Sequence, residues 1–206
     1  AGVSGGAVYS KDNVTVKNVN FTSNVANSVA GGAVYSEVGV LADNVNFTNN
    51  TAGVQGGAIF SKDNVTLNDA NFTGNTLTAT TGNIAGGAIY SDAAINGNKV
   101  NFINNTATNG LGGAIYANSN ITINNTSKFI NNSANIGGAI LSALENILVN
   151  DTVFVNNSAV NQSGAVDAVT GNVVVLNSKF EFNNVTADNR VGAAIFGNTT
   201  VNSTES

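Results

Sequence analysis

Carboxylates are the first residues to weigh for chemistry. A glycan-cleaving site needs two acids facing one bond, or a cluster of acids that holds a metal. The chain has Asp12, Glu37, Asp63 and Asp92 in the turn that follows a recurring aliphatic phrase, one or two per repeat, and Asp167 on the strand of that phrase. With no histidine or cysteine to join them, they read as solvated turn residues. No catalytic residue, cofactor or metal site is assigned, and no glycine- and aspartate-rich nonapeptide of the calcium-binding kind occurs.

Two other sets of residues point to binding. Tyr9, Tyr35, Phe60, Tyr90 and Tyr116 recur at one position of the phrase. On an outward face they would form a ladder for sugar rings or a partner strand; as structure alone, they would stiffen a sheet by stacking. The column also accepts Leu141 and Asp167, which argues for an outward or edge position. The second set lies in the longest irregular segment, where Thr76, Leu77, Thr78, Thr80, Thr81 and Asn83 are the candidate contacts. The next longest loop adds Asp188 and Arg190. Frequent Asn-x-Ser/Thr triplets follow from Asn and Thr recurring in turns, and no glycosylation is predicted from them.

The elements that must position these residues come from repetition. The phrase Gly86-Gly87-Ala88-Ile89-Tyr90 and the phrase Phe102-Ile103-Asn104-Asn105 recur through the chain. The aliphatic residues Val8, Val34, Ile59, Ile89, Ile115, Ile140, Val166 and Ile195 stand 26, 25, 30, 26, 25, 26 and 29 apart. Phe21, Phe47, Phe72, Phe102, Phe129, Phe154 and Phe180 each have Asn three residues later. Aliphatic to Phe is always 13 or 14 residues, whereas Phe to the next aliphatic ranges from 11 to 17. One side of the unit is fixed and the other absorbs every insertion. In a stack, the insertions then line one edge, where binding is usually carried.

Before each Phe runs an alternating pair such as Val65 and Leu67, or Ile121 and Ile123. Period two with β-branched residues predicts strands, and no window shows a helical period. A lap of about 25 residues cannot bury a core alone, so laps must stack at roughly 4.8 Å, each strand pairing with its equivalents above and below. The expected fold is an all-β parallel β-helix, a solenoid of about seven coils with three short strands per coil, as a single domain over residues 1–206. Phe and the phrase-one aliphatics should face the core, with the preceding Ala column beside the aromatics. The Asn after Phe should stack as an amide ladder, and the Gly pairs should supply positive φ or close backbone approach.

Composition agrees with repetition under one constraint. Pro, Cys, Met, Trp and His are absent from 206 residues, 42% are hydrophobic and only 9% charged. The net charge is −5, and Lys11, Lys17, Lys62, Lys99, Lys128, Lys179 and Arg190 are scattered. No basic stripe exists for phosphates, so nucleic-acid binding is not expected. No signal peptide, membrane helix or lipidation signal is recognised, and Ala1 to Ser4 run straight into a repeat, which reads as an excerpt from a longer protein.

The paired motifs, Gly-Gly-Ala-[Ile/Leu/Val] and Phe-x-x-Asn from Gly5 to Ile195, closely resemble the passenger repeats of chlamydial-type polymorphic outer membrane proteins; similar phrases occur in other repetitive adhesin-like surface proteins. Ser163, Ala193 and Asp167 depart from the pattern. The resemblance implies a right-handed β-helical passenger of an autotransporter adhesin, extracellular on a bacterial or archaeal surface. Its parent would be anchored in the outer membrane by a barrel that this chain does not include. It implies a virulence role in cell adhesion, with a host-cell surface protein or glycan as partner. The combined expectation is a non-enzymatic surface adhesin, or its stalk, binding through one edge, with self-association through exposed end coils. The alternatives are a fragment of a polysaccharide-active enzyme and a purely structural or ice-binding rod.

Overall fold

The computed structural model describes residues 2, 4–187 and 194–202. Every regular element among them is a β-strand, and all pairings are parallel. A representative coil has four short strands, Ile89–Ser91, Ile95–Asn98, Asn101–Ile103 and Thr106–Leu111. They belong to three sheets. The first and second strands of all coils form one 14-stranded sheet, joined where Val166–Leu176 runs through both positions as one strand. The third and fourth strands each form a seven-stranded sheet. The result is the expected β-solenoid of about seven turns.

The sequence alignment of the repeats is also their spatial register. Val34 pairs with Val8 and Ile59, Ile89 with Ile59 and Ile115, and Phe102 with Phe72 and Phe129. The phenylalanines stack face to face, with centroids 4.6–5.0 Å apart and planes within 5–9°. Phe47, Phe72, Phe102, Phe129 and Phe154 are fully buried. Around them pack the phrase-one aliphatics and the alternating pairs of the second strand. Gly97 interrupts that pair, and its space is taken by Val100 and Ile123, whose methyls lie 2.8–3.1 Å from where a Cβ would stand.

The Ala column sits elsewhere than expected. Ala33, Ala58, Ala88, Ala114, Ala139 and Ala165 lie in the main core with the neighbouring aliphatics, not beside the aromatics. Strict alternation fails because each Ala carbonyl accepts two successive amides of the preceding coil. Ala114 O, for example, takes Ala88 N and Ile89 N, both at 2.9 Å. That doubled bond acts like a bulge and restarts the pleat. The Gly pair makes it possible: Gly86 has φ +71°, and a Cβ on Gly87 would lie 2.0 Å from Gly113 O. The first glycine supplies left-handed backbone and the second lets two coils touch.

The amide ladder is present and complete in its bonds. Asn50, Asn75, Asn105, Asn132 and Asn157 are fully buried. Asn105 Nδ2 donates to Asn132 Oδ1 (3.0 Å) and to Phe72 O (2.9 Å), while Asn105 Oδ1 accepts from Asn75 N and Nδ2. The residue before each ladder Asn, such as Asn49, Asn104 or Asn131, is left-handed with φ near 55°. That conformation, which Asn tolerates better than most residues, turns the next amide inward.

Candidate functional site

Insertions gather where the fourth strand returns to the Gly pair. The backbone re-registers at a column of single bridges, Ala30 to Gln55 to Ala85 to Leu111, so extra residues must bulge out before it. In the longest case, Thr76 and Leu77 form the strand, with Thr76 opposite Thr51 and Thr106. Leu77 and Ile84 are buried in a small satellite cluster with Ala52, Ala107 and Ala134, against which Ala79 packs. Thr78, Thr80, Thr81, Gly82 and Asn83 are exposed. The candidate loop is therefore narrower than its sequence suggested. Thr76 and Leu77 are a strand residue and an anchor, and the presented residues are Thr78, Thr80, Thr81 and Asn83.

The next coil adds a second bump, exposed at Thr108 and Asn109 and pressed against the loop, with Leu111 N donating to Ile84 O at 3.0 Å. Beyond it lies a cleft of about 170 Å³ lined by Thr108, Ser133, Ala134, Ser158, Val160 and Thr186. Loop tip, bump and a cleft of mixed hydroxyl and apolar lining thus follow one another along one edge. Asp188 and Arg190 lie outside the described residues.

The aromatic column is not an exposed ladder, contrary to the outward reading. The rings stack 4.7–5.1 Å apart, yet Phe60, Tyr90 and Tyr116 are buried and only Tyr9 is broadly exposed, with Tyr35 between. Ala30, Ala85, Leu111 and Ile136, just before the Gly pairs, fold over the rings and make a second core. Sequence parity placed the column outside the main core but could not show the chain covering it. Tyr hydroxyls reach the rim, where Tyr90 donates to Asp92 Oδ1 (2.9 Å) and Tyr116 to Asn118 Oδ1 (2.8 Å). Burial, then the Asp92 carboxylate, hold both phenols above their ordinary value, so they remain neutral donors. At the exposed end, Tyr9 donates to Glu37 Oε1, and that bond, with Lys62 nearby, lowers the Glu37 carboxyl.

Asp167 occupies the same column and is fully buried, not outward. The departure at Ser163 explains it: Ser163 takes the left-handed position of the first glycine, and its Oγ and Gln162 Nε2 donate to Asp167 Oδ2 (2.8 and 2.9 Å). Oδ1 has no partner. Burial raises this carboxyl above its ordinary 3.8, and the two donated bonds only partly oppose the rise. The folded chain thus holds the proton more tightly than the unfolded chain, and stability falls as pH climbs from the ordinary value through the raised one. Asp167→Asn should therefore stabilise the chain by ~1–3 kcal/mol at pH 7 and by almost nothing at pH 3, where the carboxyl is neutral in both states. Thermal melts at the two pH values check this; an equal gain at both would assign the effect to shape instead of charge.

The remaining acids stay dispersed. Asp43, Glu37 and Asp69 pair with Lys17, Lys62 and Lys99 on neighbouring coils at 2.9–3.6 Å. These are exposed inter-coil bonds worth at most ~1 kcal/mol each. No three metal-ligating side chains converge among the described residues.

This geometry defines a class: a stacked β-solenoid with an invariant body and one variable edge. Within that class, residues 44–62 and 99–118 match the Chlamydia polymorphic membrane protein repeat, and the chain carries repeats of that type. Each match runs from the turn before Phe, through the ladder Asn, to the Gly-Gly-Ala-Ile phrase, and so includes the insertion edge. The family name points to an outer-membrane or surface protein, which agrees with an adhesin-type role. No curated protein and no solved structure matches the chain.

Proposed function

We propose that this solenoid is the presenting part of a non-enzymatic, surface-displayed autotransporter adhesin that binds a host-cell protein or glycan through its insertion edge. The observation that carries the reading is the division of the coil. Core, ladder and Gly phrase hold register residue by residue, and the longest insertion, between Leu77 and Ile84, is released before the Ala85 bridge column as an anchored, polar, solvent-facing loop. A rigid body with a row of such contacts gains affinity by summing weak interactions along the axis. The enzyme alternative loses its best acid, because Asp167 is sealed between Leu141 and Phe196 of adjacent coils.

Removing residues 79–83 together with Thr78→Gly leaves a glycine where Gly53 stands in the preceding coil, a place where a Cβ would meet Ser28 O at 2.7 Å, so the fold should be kept. Attachment of the purified protein to host cells should drop at least ~10-fold, the size of a loss of ~1.4 kcal/mol, with an unchanged melting temperature. Undiminished attachment would remove the loop from the binding site.

A further inference from the structure

A second recess opens elsewhere on the coil, where the first strand turns into the second. It is a trough of about 350 Å³ spanning three coils, walled by Asn13 and Asn64, floored at Gly39 and Val40, and flanked by Thr15, Leu41, Asp63 and Thr66. Asn13, Gly39 and Asn64 stand in one column, just ahead of the register Thr15, Leu41, Thr66. Two asparagines therefore flank a missing side chain, with backbones two coil spacings or roughly 9.6 Å apart and both side chains directed along the axis toward the following coil. The gap is enforced, since a Cβ on Gly39 would stand 2.9 Å from Asn64 O and 3.0 Å from Asn13 Oδ1.

The polar groups here are held in a definite orientation. Asn13 Oδ1 accepts from Gly39 N (3.0 Å) and Asn64 Oδ1 from Ala94 N (3.1 Å), which fixes both amides and leaves their Nδ2 groups as open donors. Asp63 Oδ1 accepts from Asn64 N at 2.7 Å, leaving Oδ2 as an open acceptor beside the Asn64 amide. Leu41 lies half-buried between two threonines as an apolar platform. Lys62, next in sequence to Asp63, is engaged by Glu37 at 3.6 Å. Further along, the column closes: Asn120, Asn146 and Asn172 occupy consecutive coils, and the Asn120 and Asn146 oxygens accept from the backbone amides of Asn146 and Asn172 at 3.1 and 2.9 Å.

We infer that this trough is a binding site for a neutral saccharide. A carboxylate beside an amide donor satisfies both roles of adjacent ring hydroxyls, and the apolar face of a sugar ring needs a platform such as Leu41. The Asp63 charge disfavours phosphate, sulfate and uronic or sialic acids. The volume lies at the small end of ligand pockets, which run from ~300 Å³ upward, and suits one or two sugar units. The inference deepens the adhesin reading by naming a ligand class, at a site separate from the insertion edge.

The test is an array of neutral, sialylated and sulfated glycans probed with the purified protein, followed by titration of the best neutral disaccharide. Asn64→Asp keeps the acceptor for Ala94 N, removes the donors and adds a second negative charge beside Asp63, so its effect on a neutral sugar is read against Leu41→Ala, which removes only the platform. Binding of neutral glycans that weakens at least tenfold in each variant, at unchanged melting temperature, is the expected result. No neutral binding, a preference for acidic glycans, or neutral binding indifferent to both variants overturns the trough. Cell attachment separates the two readings. If attachment depends on residues 79–83 while no glycan binds, the trough fails and the edge stands. If glycan binding tracks the trough variants while the deletion leaves attachment intact, the edge fails and the trough stands.

Discussion

Phe102→Ala should lower the unfolding free energy by ~3–5 kcal/mol, measured by urea denaturation. Phe102 is fully buried with a stacked ring on each side, at 4.6 Å from Phe72 and 4.8 Å from Phe129. Truncation removes its own apolar burial and one face of packing from two other rings. Strands above and below are fixed in register by backbone bonds, so the coils cannot close over the cavity. The same change at Phe21, which has a single stacked neighbour and 7% exposure, should cost clearly less. Equal losses at the two sites would mean that stacking from both sides adds nothing.

Asn105→Asp should be as damaging although it alters a single atom. The carboxylate keeps the oxygen that accepts from Asn75 N and Nδ2, but it loses both donated bonds, to Asn132 Oδ1 and Phe72 O. Two buried acceptors then face a buried negative charge, for which ~3–5 kcal/mol is the usual scale. The sign with pH follows. Protonation removes the charge and restores one donor, so the variant should lie furthest below wild type at pH 7 and recover part of the difference at pH 4. A deficit independent of pH would show that ladder geometry, not charge, was lost. Asn183, half-buried at the far end of the ladder, should tolerate the change better.

The solenoid itself was legible because repetition makes register visible. Columns of Phe, Asn and aliphatic residues in the alignment became columns in space, including the side that absorbs insertions. What stayed hidden was set by departures from simple alternation. The shared carbonyl at Ala114 moves the Ala column into the main core, and no pattern of two predicts a bond accepted twice. The fold-back of Ala85 and Leu111 over the Tyr90 and Tyr116 rings is a tertiary event between a loop and a strand face. Ser163 and Asp167 were visible as departures, but only the Oγ–Oδ2 bond shows that they depart together. In the insertion, Leu77 and Ile84 differ from the threonines between them in hydrophobicity, a signal that marked the anchors and was passed over. The trough left a similar trace: glycine at position 39 between asparagines at 13 and 64.

The strands lie across the stacking axis, which gives the body a particular response to load. Tension applied along the axis opens one row of inter-coil bonds at a time, as in a zipper, whereas a sideways pull must shear many at once. A coil of 25 or 26 residues that peels away releases roughly 85–90 Å of chain at ~3.4 Å per residue. The coils behind it keep their ladder and their stacked rings. A body built this way lengthens one coil at a time and dissipates work at each step.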